Sequence, residues 1–311
     1  MIQSKIRVEQ LSDVTERRPT FVAIGSFDGV HLGHQAVLQK MVNAARMVAA
    51  RTAVLTFFPH PKRVIQNLTA PYYLSTLEER VAFLAQLGID LIITHPFNET
   101  VQHTRAAEFV ADLCHYLDMR QLWGGNFALG YQREGDIPFL RRLGEEKGYT
   151  VEQVEAMVFW QGERVSSSRI RHSLLAGDMA EANGCLGRPY GVSGVVVEGQ
   201  KMGRTIGFPT ANIDFWPEQL LPANGVYATY AWLDSTRYFA ATNVGIRPTV
   251  NGRAVTVEAH LLDFDMDIYG RTLRLEFIER IRPEMKFAGL EALKAQIQVD
   301  VDRVRELLTT H

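Results

Sequence analysis

The sequence predicts two folds in succession: a parallel-sheet α/β domain, then a small antiparallel β-barrel or sandwich closed by a C-terminal helix. Three observations predict this. The 311 residues are about twice the length that one domain usually takes. Before residue 186, short apolar runs alternate with stretches of helical period; after it the period turns to two and glycine turns appear. The composition, 46% apolar and 22% charged, is that of a globular protein and excludes a disordered or collagen-like chain.

Taken in order, Phe21 to Ile24 reads as a buried strand, after which Leu38, Met41, Val42, Ala45 and Val48 recur at helical spacing. Ala53 to Phe58 is a second strand. Leu77, Val81, Leu84 and Leu87 form one stripe of a helix over 77–87, which Gly88 closes from the C-cap position. Leu91 to Thr94 is a third strand, Ala106 to Leu117 a helix, Gln121 to Trp123 a fourth strand and Val151 to Met157 a fifth. Apolar strands alternating with helices imply a parallel sheet covered on both faces, and such sheets bind ligands beyond the carboxyl ends of their strands. In the second half, Val192 to Val197, Gly225 to Trp232, Tyr238 to Asn243, Val255 to Leu262 and Leu273 to Ile278 read as strands without intervening helices. A last helix carries the stripe Leu290, Leu293, Ile297, Val301, Val304 and Leu308 and is expected to pack on the barrel.

Lys and Arg number 33 against 35 Asp and Glu, a net charge of −2 spread over both halves, which argues against nucleic acid as a partner. No apolar run approaches the ~18 residues of a membrane span, and the N-terminus has no signal-peptide pattern. Two cysteines, Cys114 and Cys185, suit a reducing cytoplasm better than a disulfide framework.

The strand at Phe21 runs into GSFDGVHLGHQ, and a helix follows. His31, Gly33 and His34 give H-x-G-H, a pattern that composition alone would produce about 0.02 times in this chain. A helix N-terminus offers unpaired N–H groups and a positive dipole end. Gly25, Gly29 and Gly33 allow a close backbone approach, and two imidazoles there can donate to phosphate oxygens as charge builds. The alternative is a pair of solvated loop histidines; a zinc pair lacks a third ligand cluster. Neither G-x-G-x-x-G nor the dipeptide Gly-Lys occurs, which excludes the dinucleotide fingerprint and the Walker A loop. In GERVSSSRIR, Ser166, Ser167 and Ser168 precede a short helix as N-caps or anion ligands, and Arg169 and Arg171 add fixed charge. WGGNFALGYQREGD is a glycine-rich loop holding Asn126, Phe127 and Arg133, either a clamp for an aromatic ring system or an ordinary turn.

In the second half, Gly199, Gly203 and Gly207 punctuate GQKMGRTIGFPTAN, which ends in a hydroxyl and an amide, Thr210 and Asn212. Such a loop can wrap phosphates and hold Mg²⁺ through oxygen ligands, or can simply join two strands. On the strand at Val255, period two puts Val255, Val257, Ala259 and Leu261 on one face and Thr256, Glu258, His260 and Leu262 on the other. DFDMDIYG fails as a calcium loop, because position 6 would be Ile268 rather than Gly and position 12 Arg274 rather than Glu.

GSFDGVHLGHQ, WGGNFALG with REGD, RVSSSRIR, LGRPYGVSGVVVEGQKMGRTIGFPTANI, NGVYAT, TNVGIRPTV and VEAHLLDFDMDIYG together resemble the bacterial bifunctional riboflavin kinase/FMN adenylyltransferase (FAD synthetase) family, in the family's order and over nearly the whole chain. The sequence departs from the commoner motif at Ser26 and Ala128. The resemblance implies a Rossmann-like nucleotidylyltransferase domain over 1–185, the FMN adenylyltransferase, and a six-stranded antiparallel riboflavin kinase barrel over 186–311. It implies riboflavin, FMN and ATP as small-molecule substrates and Mg²⁺ as cofactor. Carried over residue by residue, it makes His31, His34 and Arg169 catalytic in the first reaction site, with Gly25, Phe27, Asp28, Gly33, Asn126, Ser167 and Ser168 binding ligand. It makes Glu258 the catalytic base of the barrel, with Gly203, Gly207, Thr210 and Asn212 around the phosphates and the metal at Thr210 and Asn212. The chemistry divides the same way. A hydroxyl nucleophile must lose a proton and calls for a carboxylate base, whereas a phosphate nucleophile is already anionic and needs only orientation and charge stabilisation.

Overall fold

The structure is a computed structural model that describes residues 7–125, 127–154, 157–199, 202–249 and 252–310. It divides into two compact units. The first comprises residues up to Ala70 together with Thr76–Val165; the second comprises Pro71–Ser75 and Ser166 onward.

In the first unit the elements follow as β1 (Arg7–Val8), β2 (Thr20–Gly25), α1 (Leu32–Met47), β3 (Arg51–Phe58), α2 (Pro61–Ile65), α3 (Leu77–Gln86), β4 (Leu91–Pro96), α4 (Glu99–His103), α5 (Ala106–Leu117), β5 (Met119–Gly124), α6 (Ile137–Lys147), β6 (Thr150–Gln153) and a hairpin of β7 (Phe159–Trp160) and β8 (Glu163–Arg164). β1 to β6 form one sheet in the order β1-β4-β3-β2-β5-β6, every neighbouring pair parallel. Alternate residues feed two cores. Val22, Leu55 and Ile93 join Phe109 and Leu113 of α5, while Phe21, Ala23 and Val54 join Leu38 and Met41 of α1 and Leu84 of α3. This is the doubly covered parallel sheet that the apolar strands predict. The chain runs one way from β2 to β3 and the other way to β5, so the carboxyl end of β2 lies at the point where strand order reverses.

The short elements β1, α2, α4 and the β7–β8 hairpin lie outside the sequence expectation, and three longer features differ from it. Val48 is not on the stripe of α1: it is the C-cap and is 65% exposed. β6 stops at Gln153, short of the expected Met157, which is itself exposed. Helix α6 was not anticipated, although Asp136 caps it by accepting the N–H of Phe139 and Gly148 ends it in the left-handed conformation.

The second unit runs α7 (Ser167–Ala176), α8 (Met179–Leu186), β9 (Tyr190–Val197), α9 (Met202–Thr205), β10 (Ala211–Phe215), β11 (Gly225–Leu233), β12 (Thr236–Thr249), β13 (Gly252–Leu261), β14 (Thr272–Arg282) and α10 (Leu290–Thr309). β9 to β14 close an antiparallel barrel in the order β10-β13-β12-β11-β14-β9. β10 is the barrel strand that periodicity did not single out. Val301, Val304 and Leu308 of α10 pack with Ala228, Tyr230 and Ala241 of the barrel, whereas Leu290 at the start of the expected stripe is exposed. The segment Pro71–Ser75 belongs to this unit: Tyr72 and Tyr73 donate their backbone N–H groups to Glu218, Leu220 donates to Tyr73, and the Tyr73 ring lies 4.8 Å from that of Trp216.

Candidate active sites

In the first unit, β2 ends at Gly25 and a tight turn leads to α1. Phe27 and Val30 hold positive φ of 45° and 38°, and Gly29 of 75°, in a turn that L residues adopt only under constraint. The buried Phe27 ring folds back against the end of β2, where a Cβ added at Gly25 would lie 3.2 Å from it; on β5 a Cβ at Gly124 would meet a different ring, that of Phe127, at 2.8 Å. His31 is the N-cap of α1, its Nδ1 accepting the backbone N–H of His34 at 3.3 Å. Because Nδ1 accepts, the proton of the neutral ring sits on Nε2. The His34 ring stacks on it with centroids 3.7 Å apart and meets the edge of Phe27 at 5.2 Å. A Cβ on Gly33 would press on the His31 ring at 3.2 Å. His34 Nδ1 is buried with no hydrogen-bond partner among the described residues. Burial, then the His31 ring, then Arg80 hold the His34 pKa well below the usual histidine range. Two imidazoles over a helix N-terminus form an array of donors for an anion.

In the second unit a cavity of about 350 Å³ brings together Gly203, Thr210, Asn212 and Glu258, with Leu293 and Ile297 of α10 also lining it. Glu258 on β13 stands between Asn212 of β10 and Asn243 of β12 in register, so an amide, a carboxylate and an amide follow one another across three strands. His260, two residues along, holds the Pro209 carbonyl at 2.8 Å through Nδ1 and meets Phe208 edge-on. A carbonyl only accepts, so that Nδ1 carries the proton and the ring pins the peptide that precedes Thr210. The Phe208 N–H closes the loop by donating to the Gly203 carbonyl at 2.8 Å, and a Cβ on Gly203 would run into the Phe208 carbonyl. Gly207 turns the loop with φ of 89°. A second cavity of about 360 Å³ adjoins, lined by Arg204, Phe264, Met266, Ile268 and Tyr269; Thr210 lines both.

A family model for FAD synthetase matches residues 13–169, and one for riboflavin kinase matches residues 186–308. A bifunctional riboflavin kinase/FMN adenylyltransferase of Pseudomonas fluorescens is 38% identical over 94% of each chain. Another, of Escherichia coli K12, is 38% identical over 92% of this chain and 91% of its own. The chain belongs to the bifunctional riboflavin kinase/FMN adenylyltransferase family. A crystal structure described as a macrolide-efflux protein from Streptococcus pneumoniae is also similar, with a TM-score of 0.88 and 29% identity, covering 96% of this chain and 98% of that one. No described helix of the present chain is long and apolar enough to cross a membrane.

The family's motif residues fall into three groups in this structure. Gly25, Phe27, Asp28, Gly33, His31 and His34 gather at the β2–α1 turn, but Phe27 and Asp28 are buried, and Asp28 lies 3.4 Å from the guanidinium of Arg80. Ser167, Ser168 and Arg169 open α7 in the second unit, where Ser166 caps the helix and Arg169 pairs with Glu181. Arg171 lies over the Tyr72 ring at 3.8 Å and donates to its carbonyl. Asn126 lies outside the described residues. Phe127, beside it, is a core residue, and Arg133 is exposed. Sequence reasoning missed Arg80, Thr56 and Asp300, each a buried polar group whose partner lies elsewhere in the chain. The donor set in the barrel fits Mg²⁺. Thr210 and Asn212 offer hard oxygen atoms in one cavity, the glycine backbone at Gly199 and Gly203 closes against them, and no trio of acidic, His or Cys side chains forms a dedicated cage among the described residues.

Proposed function

We propose that the barrel phosphorylates riboflavin to FMN with ATP and that the α/β unit then adenylylates FMN to FAD with release of pyrophosphate. The observation that carries this reading is the difference between the two sites. Glu258 stands beside Thr210 and Asn212 in one cavity, while the other site offers stacked imidazoles and a helix N-terminus at the end of β2.

In the barrel, Glu258 takes the proton of the ribityl hydroxyl as its oxygen attacks the γ-phosphorus of ATP, and ADP leaves. The flavin occupies the cavity under α10 and the nucleotide the adjoining one, because Thr210 faces both and the phosphoryl group must cross between them. Thr210 and Asn212 are the residues that would hold Mg²⁺, which would offset the charge of the phosphates. His260 fixes the Pro209–Thr210 peptide, so the Thr210 hydroxyl is presented without a loop rearrangement.

In the α/β unit, a phosphate oxygen of FMN attacks the α-phosphorus of ATP and the bond to the pyrophosphate oxygen breaks. No proton need be removed. His31 and His34 donate to oxygens whose charge grows in the transition state, and the N-terminus of α1 adds its dipole. Arg169, Ser167 and Ser168 are assigned to the nucleotide by the family resemblance, as is Asn126.

Incubating the chain with riboflavin, ATP and Mg²⁺ and separating the products by chromatography tests the reading. FMN should form first and FAD after it. Absence of FMN would remove the barrel assignment, and absence of FAD from added FMN the other.

A further inference from the structure

Beneath the histidine turn lies a charge that the proposed chemistry does not use. Arg80, on α3, is 0% exposed, and Asp28 is 1% exposed. Its guanidinium donates to the Thr56 hydroxyl at 3.2 Å and to the Phe57 carbonyl at 3.3 Å, and it lies 3.4 Å from Asp28 Oδ1. The Thr56 hydroxyl in turn donates to the Ser26 carbonyl at 2.9 Å. One cation therefore ties the end of β3 to Ser26 and Asp28, the residues flanking Phe27 in the turn of positive φ.

Packing does not require an arginine at this position. Its helix neighbours Val81 and Leu84 belong to an apolar core, and burying a charge is costly unless it is paired and hydrogen-bonded. An apolar side chain of similar size would fill the space, so what the arginine adds is its contacts. A turn with positive φ at non-glycine residues persists only where its surroundings over-determine it.

We propose that Arg80 is a positioning residue for nucleotidyl transfer, holding the Phe27–Val30 turn through Asp28 so that His31 and His34 stack over the N-terminus of α1. This rests on the role given above to the histidine pair. It also reassigns Asp28: a carboxylate this buried and this paired braces the site rather than touching ligand. The charge of Arg80 acts on the site directly as well. The groups that disfavour protonation of His34 are His31 from its own turn and Arg80 from α3, added to burial.

The test compares Arg80→Met, Arg80→Lys and Asp28→Asn with the native full-length chain. Arg80→Met should lower kcat for FMN adenylylation about 100-fold, the loss expected of a misplaced transition-state donor, while the KM for FMN changes only a few-fold. Arg80→Lys keeps the charge but not the fork of donors, and should recover all but about tenfold of that loss. Asp28→Asn should lose kcat as Arg80→Met does. The His34 ring proton, followed by NMR, should titrate at higher pH in Arg80→Met and not in Arg80→Lys. A merely structural Arg80 would lower the melting temperature and leave kcat and the His34 titration unchanged, which would overturn the proposal. If Arg80→Met fails to fold, a folded Asp28→Asn with kcat within about threefold of native overturns it equally. If the native chain makes no FAD, the functional reading fails by itself, and the His34 titration still decides whether Arg80 acts on the pair.

Discussion

Stacked face to face at 3.7 Å, His31 and His34 cannot both be imidazolium, because two like charges at that distance exclude each other. In the role proposed for it, the pair therefore acts through N–H groups of neutral rings more than through net charge. His31→Ala or His34→Ala should lower FAD formation from FMN by about 100-fold, with FMN formation from riboflavin near native. Equal loss of both activities, measured by product chromatography on one preparation, would point to a folding defect instead. Burial also holds the His95 pKa below its usual value. A folded-state pKa below the unfolded value near 6.5 means that the stabilising contribution is complete above about pH 6.5 and is lost as pH falls through the folded value. The melting temperature of the native chain should thus fall between about pH 7 and pH 5, and less so in His34→Gln with His95→Gln. An equal fall in both chains would remove the argument. In the barrel, Glu258→Gln keeps the shape and removes the base, so riboflavin phosphorylation should collapse while FMN adenylylation persists in the same assay. His260 does not take over as base through Nδ1, which is committed to Pro209. The H-x-G-H pair and Glu258 were legible from sequence because each sits in a motif or an alternation. Arg80 and Asp28 were not legible as a pair, because 52 residues separate them and only the fold brings their charges together.

Elements whose apolar residues keep one period were read at close to their true limits. Ala106–Leu117 is helix α5 as expected, with Phe109, Val110 and Leu113 buried. α6 escaped because only Leu140, Leu143 and Gly144 are buried in it, too short a stripe to register against IPFLRRLGEEK. In α10 the apolar stripe was legible, but not the polar residue set into the same face. Asp300, 2% exposed, receives Arg282 through both Nε and an Nη, and Gln296 donates to it at 3.0 Å. This pair fastens α10 to the end of β14, beside the cavity that holds Glu258. Asp300→Ala leaves the Arg282 cation without its carboxylate, and should cost about 3 kcal/mol of unfolding free energy in the second unit, the low end for a broken buried pair. The same variant should raise the KM for riboflavin while leaving FMN adenylylation unaltered. Denaturant unfolding and steady-state kinetics check both; an unchanged riboflavin KM in a destabilised chain would mean that α10 only covers the barrel.

At the scale of the molecule, the change of sequence pattern near residue 186 and the division by compactness do not fall at the same residue. The second unit reaches back to Ser166 and takes in Pro71–Ser75. The reason lies in bonds that hydrophobic period cannot register. Asn183 of α8 donates to the Phe277 carbonyl and accepts the Tyr190 N–H, both at 2.8 Å. Ala223 donates to the Leu174 carbonyl of α7. We propose that the riboflavin kinase activity is separable, and the bonds decide where to cut. A fragment Ser166–His311 keeps α7, α8, the GFPTAN loop, Glu258 and α10. It should fold, convert riboflavin to FMN and make no FAD. It lacks Tyr73, which packs on Trp216 and bonds through its backbone to Glu218 and Leu220, so it should melt below the same unit in the full chain. A shorter fragment, Gly184–His311, also loses Asn183 and strands the Tyr190 N–H and the Phe277 carbonyl beside a buried strand; it should be less stable again by about 1–3 kcal/mol. Circular dichroism, thermal melts and a kinase assay on the two fragments separate the outcomes. A well-folded Ser166–His311 without kinase activity would mean that residues of the first half take part in the phosphoryl transfer, and the assignment of that reaction to the barrel cavity alone would fall.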